Sequence, residues 1–248
     1  MTENTFLKVA LGTLKVAGWV TGGILTITSI YGLDFYHADE RMDYARGVRI
    51  KRGFGYMEYG DPDKTDVGIL FYPGGKVGLN AYGELLTRVA EKNIFCVVCG
   101  MPVNLAILAP NEADKHFKKY SEKYPNIKTW YIGGHSLGGL CACKNAGKRP
   151  YRYKGVFFLA AHPDKNDNMN GTGMKALSIY GSIDSVLNRE RYEKNRGNFP
   201  EDLTEVVIEG GNHGGFGSYG FQNGDHTTKI DKISQIDQTA DAISKFCK

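Results

Sequence analysis

Two kinds of apolar pattern alternate along the chain. Short, nearly continuous runs occur at Val67-Gly68-Ile69-Leu70-Phe71-Tyr72, residues 94–100, Thr129-Trp130-Tyr131-Ile132, residues 155–161, Ala176-Leu177-Ser178-Ile179-Tyr180 and Thr204-Glu205-Val206-Val207-Ile208. Runs of this length without polar alternation are what strands buried on both faces of a parallel sheet require. Between them apolar residues recur at helical spacing. Leu85, Leu86, Val89 and Ala90 mark a helix within 81–93, and Ile236, Ala240, Ile243 and Phe246 mark a closing helix over 234–246. A solvated helix is expected over 111–123, a helix after residue 139, and a charged one over about 187–196. Strands alternating with helices predict an α/β domain with a mostly parallel central sheet flanked by helices. Ahead of it, residues 48–52 and 54–59 alternate apolar and polar, then stop at Gly60-Asp61-Pro62-Asp63. They read as antiparallel strands at the sheet edge.

The first fifty residues break this rhythm. Residues 16–33 carry no charge, and at 18 residues they are about the minimum length for a bilayer span. Four glycines and three threonines dilute the run. Lys8 and Lys15 precede it, whereas Asp34, Asp39, Glu40 and Asp43 are mixed with Arg41 and Arg46 after it. That bias predicts an uncleaved membrane anchor with a cytoplasmic N-terminus and the remainder extracytoplasmic. The alternative is an N-terminal hydrophobic helix packed on a cytoplasmic domain. Gly18 and Gly22 form a G-x-x-x-G spacing, a candidate helix-pairing face. The expected division is therefore 1–46 as anchor and connector and 47–248 as the α/β domain.

Composition narrows the class. With 42% hydrophobic and 23% charged residues, the chain is neither disordered nor collagen-like. Its net charge of +4 comes from lysines and arginines scattered among acids. No basic stripe results, so nucleic acid is not an expected partner. Cys96 and Cys99 fall on opposite faces of a strand pattern. Cys141 and Cys143, two apart on a helix, cannot share one face tightly, and Cys247 stands alone. None has zinc-ligand spacing to nearby histidines, so no metal and no cofactor is expected; the thiols read as small buried hydrophobes. A thiol-rich domain sits uneasily with an extracytoplasmic placement.

The chemistry centres on Gly133-Gly134-His135-Ser136-Leu137-Gly138-Gly139, between a strand and a helix. This is the context of a G-x-S-x-G nucleophile elbow, a sharp turn whose serine needs small neighbours two residues away on either side. The Leu137 N–H at the helix start would face an oxyanion. A second donor is expected from Pro73-Gly74-Gly75-Lys76-Val77 after an earlier strand, with the Gly75 N–H as candidate and Lys76 next to it. A serine hydroxyl needs a base, and a histidine needs a carboxylate to fix its tautomer. Asp184, in Gly181-Ser182-Ile183-Asp184, and His213, in Gly210-Gly211-Asn212-His213, each follow a predicted strand. Ser136, Asp184 and His213 thus come in the order serine, acid, histidine. His226 is a rival base, and Asp164 or Asp167 a rival acid. Lys76, Asn104, His135 and His162 are further candidates to line the site. Residues 162–173 form a polar loop with no apolar segment, which predicts a shallow site without a lid.

The segments Phe71-Tyr72-Pro73-Gly74-Gly75-Lys76-Val77, Gly134-His135-Ser136-Leu137-Gly138-Gly139, Tyr180-Gly181-Ser182-Ile183-Asp184 and 211–220 together resemble the α/β-hydrolase family. More narrowly, they are similar to a small lidless, dienelactone-hydrolase-like bacterial branch whose members often bear an N-terminal membrane segment. The resemblance covers about residues 54–248. It implies a serine carboxylic-ester hydrolase with Ser136 as nucleophile, Asp184 as acid and His213 as base, acting on a small-molecule ester. Asp225-His226 departs from it, where a glycine would follow the aspartate. An acyltransferase or thioesterase on the same three residues, or a membrane-anchored binding protein without turnover, are the alternatives.

Overall fold

The computed structural model describes residues 22, 26, 34–39 and 47–248. Its strands are β1 Ile50–Gly53, β2 Tyr56–Tyr59, β3 Val67–Tyr72, β4 Phe95–Cys99, β5 Thr129–His135, β6 Gly155–Leu159, β7 Lys175–Gly181 and β8 Asp202–Ile208. They form one sheet in the order β1-β2-β4-β3-β5-β6-β7-β8. The β1–β2 and β2–β4 pairs are antiparallel, and every later pair is parallel.

The continuous apolar runs lie in the middle of this sheet because both of its faces are covered. Along β3, Ile69 and Phe71 enter one core cluster, while Leu70 and Tyr72 enter the other. Helices α1 (Gly83–Glu91) and α5 (Lys232–Phe246) cover the first face through Leu85, Leu86, Val89, Ile236, Ala240 and Ile243. On the second face lie α2 (Glu112–Lys123), α3 (Leu137–Lys148) and the short α4 (Arg189–Lys194), through Ala113, Tyr120, Ala142, Ala146 and Tyr192.

Boundaries shift where turn chemistry overrides pattern. The second edge strand begins at Tyr56 rather than Phe54, because Gly55 at φ 72° makes the hairpin turn and leaves Phe54 exposed at its tip. The charged helix is shorter than its pattern, since the Asn188 side chain caps it by accepting the Arg191 N–H. Cys96 and Cys99 do reach opposite clusters. Cys141 and Cys143 reach the same one, because α3 is enclosed by the sheet and by the 162–173 loop, where Met169 Sδ lies 3.0 Å from Cys143 Sγ. All five cysteines are buried free thiols.

The apolar run 16–33, apart from residues 22 and 26, lies outside the described residues, as does Gly18 of the G-x-x-x-G spacing. Among the described residues no helix is long and apolar enough to cross a membrane. Residues 34–39, expected to be a connector, are docked on the domain. Tyr36 N–H donates to the Lys76 carbonyl at 2.7 Å, Gly78 N–H to the Tyr36 carbonyl at 3.0 Å, and Asp39 N–H to the Ser218 carbonyl at 2.8 Å.

Candidate active site

Strand β5 ends at His135 and α3 begins at Leu137, so Ser136 occupies the whole turn between them. It does so at φ 52°, ψ −123°, a conformation that costs a non-glycine residue energy and persists only when its surroundings fix it. The surroundings are tight. A Cβ on Gly138 would stand 2.2 Å from the Pro73 carbonyl oxygen, and one on Gly134 2.6 Å from the Tyr72 carbonyl oxygen. Only glycine lets the turn approach β3 this closely. The Ser136 N–H is held by the Leu159 carbonyl at 2.8 Å, and its side chain makes no capping bond to α3.

Asp184 leaves the end of β7 and His213 the loop after β8. The His213 Nδ1 donates to Asp184 Oδ2 at 2.8 Å, and both side chains are almost wholly buried. The other carboxylate oxygen, Oδ1, accepts the N–H groups of Val186 at 2.9 Å and Leu187 at 2.8 Å. With Nδ1 carrying the proton, the neutral ring presents Nε2 as an acceptor. That Nε2 is buried and has no hydrogen-bond partner among the described residues. Ser136 and His213 line one cavity of about 340 Å³, together with Leu140, Ala160, Ala161, His162, Asp164, Val186, Leu187, Asn188 and Arg191. Its walls include Leu137 and Leu140 of α3 and Arg191 of α4, and residues 162–173 hold no helix.

The remaining expected residues separate into those near the cavity and those away from it. Leu137 lines it. Gly75 lies against Leu137, since a Cβ there would be 3.2 Å from Leu137 Cδ2. The N–H groups of Gly75 and Leu137 are both without a hydrogen bond among the described residues. His162 lines the cavity and its Nδ1 bonds the Pro163 carbonyl at 2.7 Å. Lys76 does not line it: its ammonium reaches Asp34 at 3.0 Å and its N–H the Asn104 carbonyl at 2.8 Å. Asn104 is the loop partner in that bond rather than a cavity wall. His135 lies beneath the cavity, 1% exposed, with Nδ1 2.9 Å from the Tyr82 hydroxyl and its ring centroid 4.7 Å from that of His213. Burial holds its pKa well below the usual histidine range, and His213 beside it pushes the same way. Of the rivals, Asp164 lines the cavity, Asp167 pairs with Lys144 at 3.0 Å, and His226 Nδ1 lies 3.2 Å from the Ile183 carbonyl. Among the described residues no cluster of three or more metal-ligating side chains occurs.

Sequence reasoning missed the residues that hold the base loop. Gln235 on α5 accepts the Asn212 N–H at 3.1 Å and donates to the Asn212 carbonyl at 2.8 Å. The Asp225 carboxylate accepts the Gly214 N–H at 2.8 Å. Neither carries a local motif. Val186, Asn188 and Arg191 were also unmarked as cavity residues, and the only signal for them is that they follow Asp184.

A parallel sheet with a serine at a strained strand-to-helix turn, and a buried histidine–aspartate pair on later loops, defines a class of catalytic scaffold. The profile of the alpha/beta hydrolase family matches residues 68–237, and the chain belongs to that family. No curated protein matches the sequence. Among solved structures it is similar to a predicted CIB-like hydrolase from Thermoplasma acidophilum, at 14% identity and a TM-score of 0.56, covering 80% of this chain and 100% of that one. The esterase domain of a Rhodothermus marinus protein aligns at 11% identity and a TM-score of 0.58, over 77% and 90% of the two chains. An alpha/beta hydrolase enzyme from the metagenome of sediments of the Mar Chica lagoon, Morocco, aligns at 15% identity and a TM-score of 0.51, over 67% and 90%. At these identities the likeness is one of fold.

Proposed function

We propose that this hydrolase cleaves a carboxylic ester through an acyl-enzyme on Ser136, with His213 as base and Asp184 as its orienting acid. The observation that carries the reading is the His213–Asp184 bond of 2.8 Å, which leaves Nε2 without a partner among the described residues on a histidine that lines the same cavity as Ser136. In the first step the Ser136 oxygen attacks the ester carbonyl while His213 Nε2 takes the hydroxyl proton. The N–H groups of Leu137 and Gly75 donate to the oxyanion. Collapse breaks the bond to the alcohol oxygen, which leaves with the proton from His213. Water then attacks the acyl carbonyl, gives its proton to His213, and the acid departs as Ser136 regains its hydrogen.

Residues 162–173 beside the cavity form no helical lid, so an alcohol or a thioester also has access to it. Acyl transfer and thioester hydrolysis are therefore the second reading. The test is turnover of an ester panel of graded acyl length, with and without added alcohol, by wild type and Ser136→Ala. The proposal expects hydrolysis by the wild type and loss of it in the variant; undiminished turnover by Ser136→Ala would refute it. Ester product in place of acid would favour transfer.

Residues 16–33 are proposed to anchor residues 47–248 to a membrane, with 1–46 as anchor and connector and the catalytic domain extracytoplasmic. On that proposal the full chain stays with membranes through alkaline carbonate and leaves them only in detergent. Release by carbonate alone contradicts it.

A further inference from the structure

We propose that Tyr82 and His135 are positioning residues for this reaction, tying the loop that carries the Gly75 donor to the loop that carries His213. The inference rests on the acyl-enzyme reading above.

Three loops must keep register for the chemistry: 73–75 after β3, the Ser136 turn after β5, and 211–218 after β8. Tyr82 is fully buried; its hydroxyl reaches the first two, and its chain neighbours Ala81 and Glu84 reach the third. Its hydroxyl accepts the Gly74 N–H at 2.8 Å and lies 2.9 Å from His135 Nδ1, one residue before the nucleophile. Its own element is bonded to the base loop: Ser218 N–H donates to the Ala81 carbonyl at 2.6 Å, and Ser218 Oγ to Glu84 Oε2 at 2.9 Å. Approach at this point is close. A Cβ on Gly74 would stand 2.8 Å from His135 Nδ1 and 3.0 Å from the Tyr82 hydroxyl oxygen.

Proton accounting then fixes the roles. The hydroxyl has one hydrogen and, among the described residues, no other acceptor, so it donates to His135 Nδ1. The neutral ring carries its proton on Nε2, which is buried without a partner among the described residues, and the ring packs 4.7 Å from that of His213. The result is a chain from Gly74 N–H through the Tyr82 hydroxyl to the His135 ring, which packs against the ring of the base. Neither Tyr82 nor His135 lines the cavity, so neither touches substrate. What they set is where the Gly75 N–H points relative to Ser136 and His213. An oxyanion donor acts only when aimed at the position the charge will occupy, and a shift of about 1 Å is enough to cost up to about a hundredfold.

The experiment compares wild type, Tyr82→Phe, His135→Asn and His135→Leu, each checked for a cooperative thermal transition. Asparagine places an acceptor where Nδ1 stands, and leucine removes it. The readouts are kcat, KM and affinity for an alkylboronic acid, whose tetrahedral serine adduct presents an oxyanion. Tyr82→Phe and His135→Leu are expected to lose about tenfold to a hundredfold in kcat. Boronate affinity should fall by the same factor, with KM within about twofold, and His135→Asn should recover most of both. Unchanged kcat and boronate affinity in folded Tyr82→Phe overturns the proposal. A loss confined to KM, or His135→Asn as impaired as His135→Leu, does so too. If Tyr82→Phe does not fold, the two His135 variants decide the matter. Wild type active, Ser136→Ala inactive and Tyr82→Phe unimpaired refutes this inference alone. Activity in Ser136→Ala refutes the acyl-enzyme reading beneath it.

Discussion

His135 and His213 are packed ring to ring, 4.7 Å apart, but their surroundings give them different work. His213 has a carboxylate on one nitrogen, lines the cavity, and keeps the other nitrogen without a partner among the described residues. His135 has a phenol on one side and is otherwise enclosed, and burial keeps it neutral. His116 on α2 is likewise buried and its pKa lowered, with burial the largest cause. These two depressed values have a consequence for stability. The unfolded chain takes up protons on both residues as pH falls through about 6.5, while the folded chain does not until lower pH. Neither contributes a pH dependence above that value, and together they lower folding stability below it. Denaturation midpoints measured from pH 8 to pH 5 should therefore fall on the acid side, and His135→Asn should flatten the fall. An equally steep acid limb in that variant would contradict the assignment. At this scale the placement of Ser136, Asp184 and His213 after strands was legible in sequence, since each sits beside glycines just after an apolar strand run. Tyr82 was not. Its partners are Gly74 and His135, the latter 53 positions away, and nothing local in a helical pattern marks a tyrosine whose hydroxyl is needed.

Elements place these residues by what holds their ends. The loop after β8 owes its course to α5, where Gln235 satisfies both the N–H and the carbonyl of Asn212, one residue before the base. Asp231 caps that helix by accepting the N–H groups of Ile233 and Ser234, which fixes where Gln235 stands. Replacing Gln235 with leucine keeps the volume but leaves two buried main-chain groups unpaired. We expect a loss of about 1–3 kcal/mol in denaturant unfolding and a fall in kcat larger than any change in KM. A full retention of kcat would show that α5 does not position the base. Strands and helices themselves were readable from periodicity, because the sheet is covered on both faces and its central strands must be apolar throughout. Their ends were less so. The Gly55 turn shortened one strand and the Asn188 cap shortened one helix, through bonds that a hydrophobic pattern does not encode.

For the whole molecule, the parallel sheet brings the ends of β3, β5, β7 and β8 to one edge, and every proposed catalytic group stems from that edge. The docked segment 34–39 touches the same edge through Lys76, Gly78 and Ser218. The family was legible because the four glycine-bearing segments are spaced as the fold demands. Loop-to-loop contacts were not, since they depend on how strands 50 or more residues apart are ordered in the sheet. The account as a whole stands on Ser136 as a nucleophile activated by His213. Its most direct measurement is intact-mass and peptide mapping after reaction with a fluorophosphonate. A single adduct on Ser136 in wild type, and none in Ser136→Ala or in His213→Gln over the same time, is the expected result. An unlabelled wild type, or an adduct that persists when Ser136 is replaced, would contradict it.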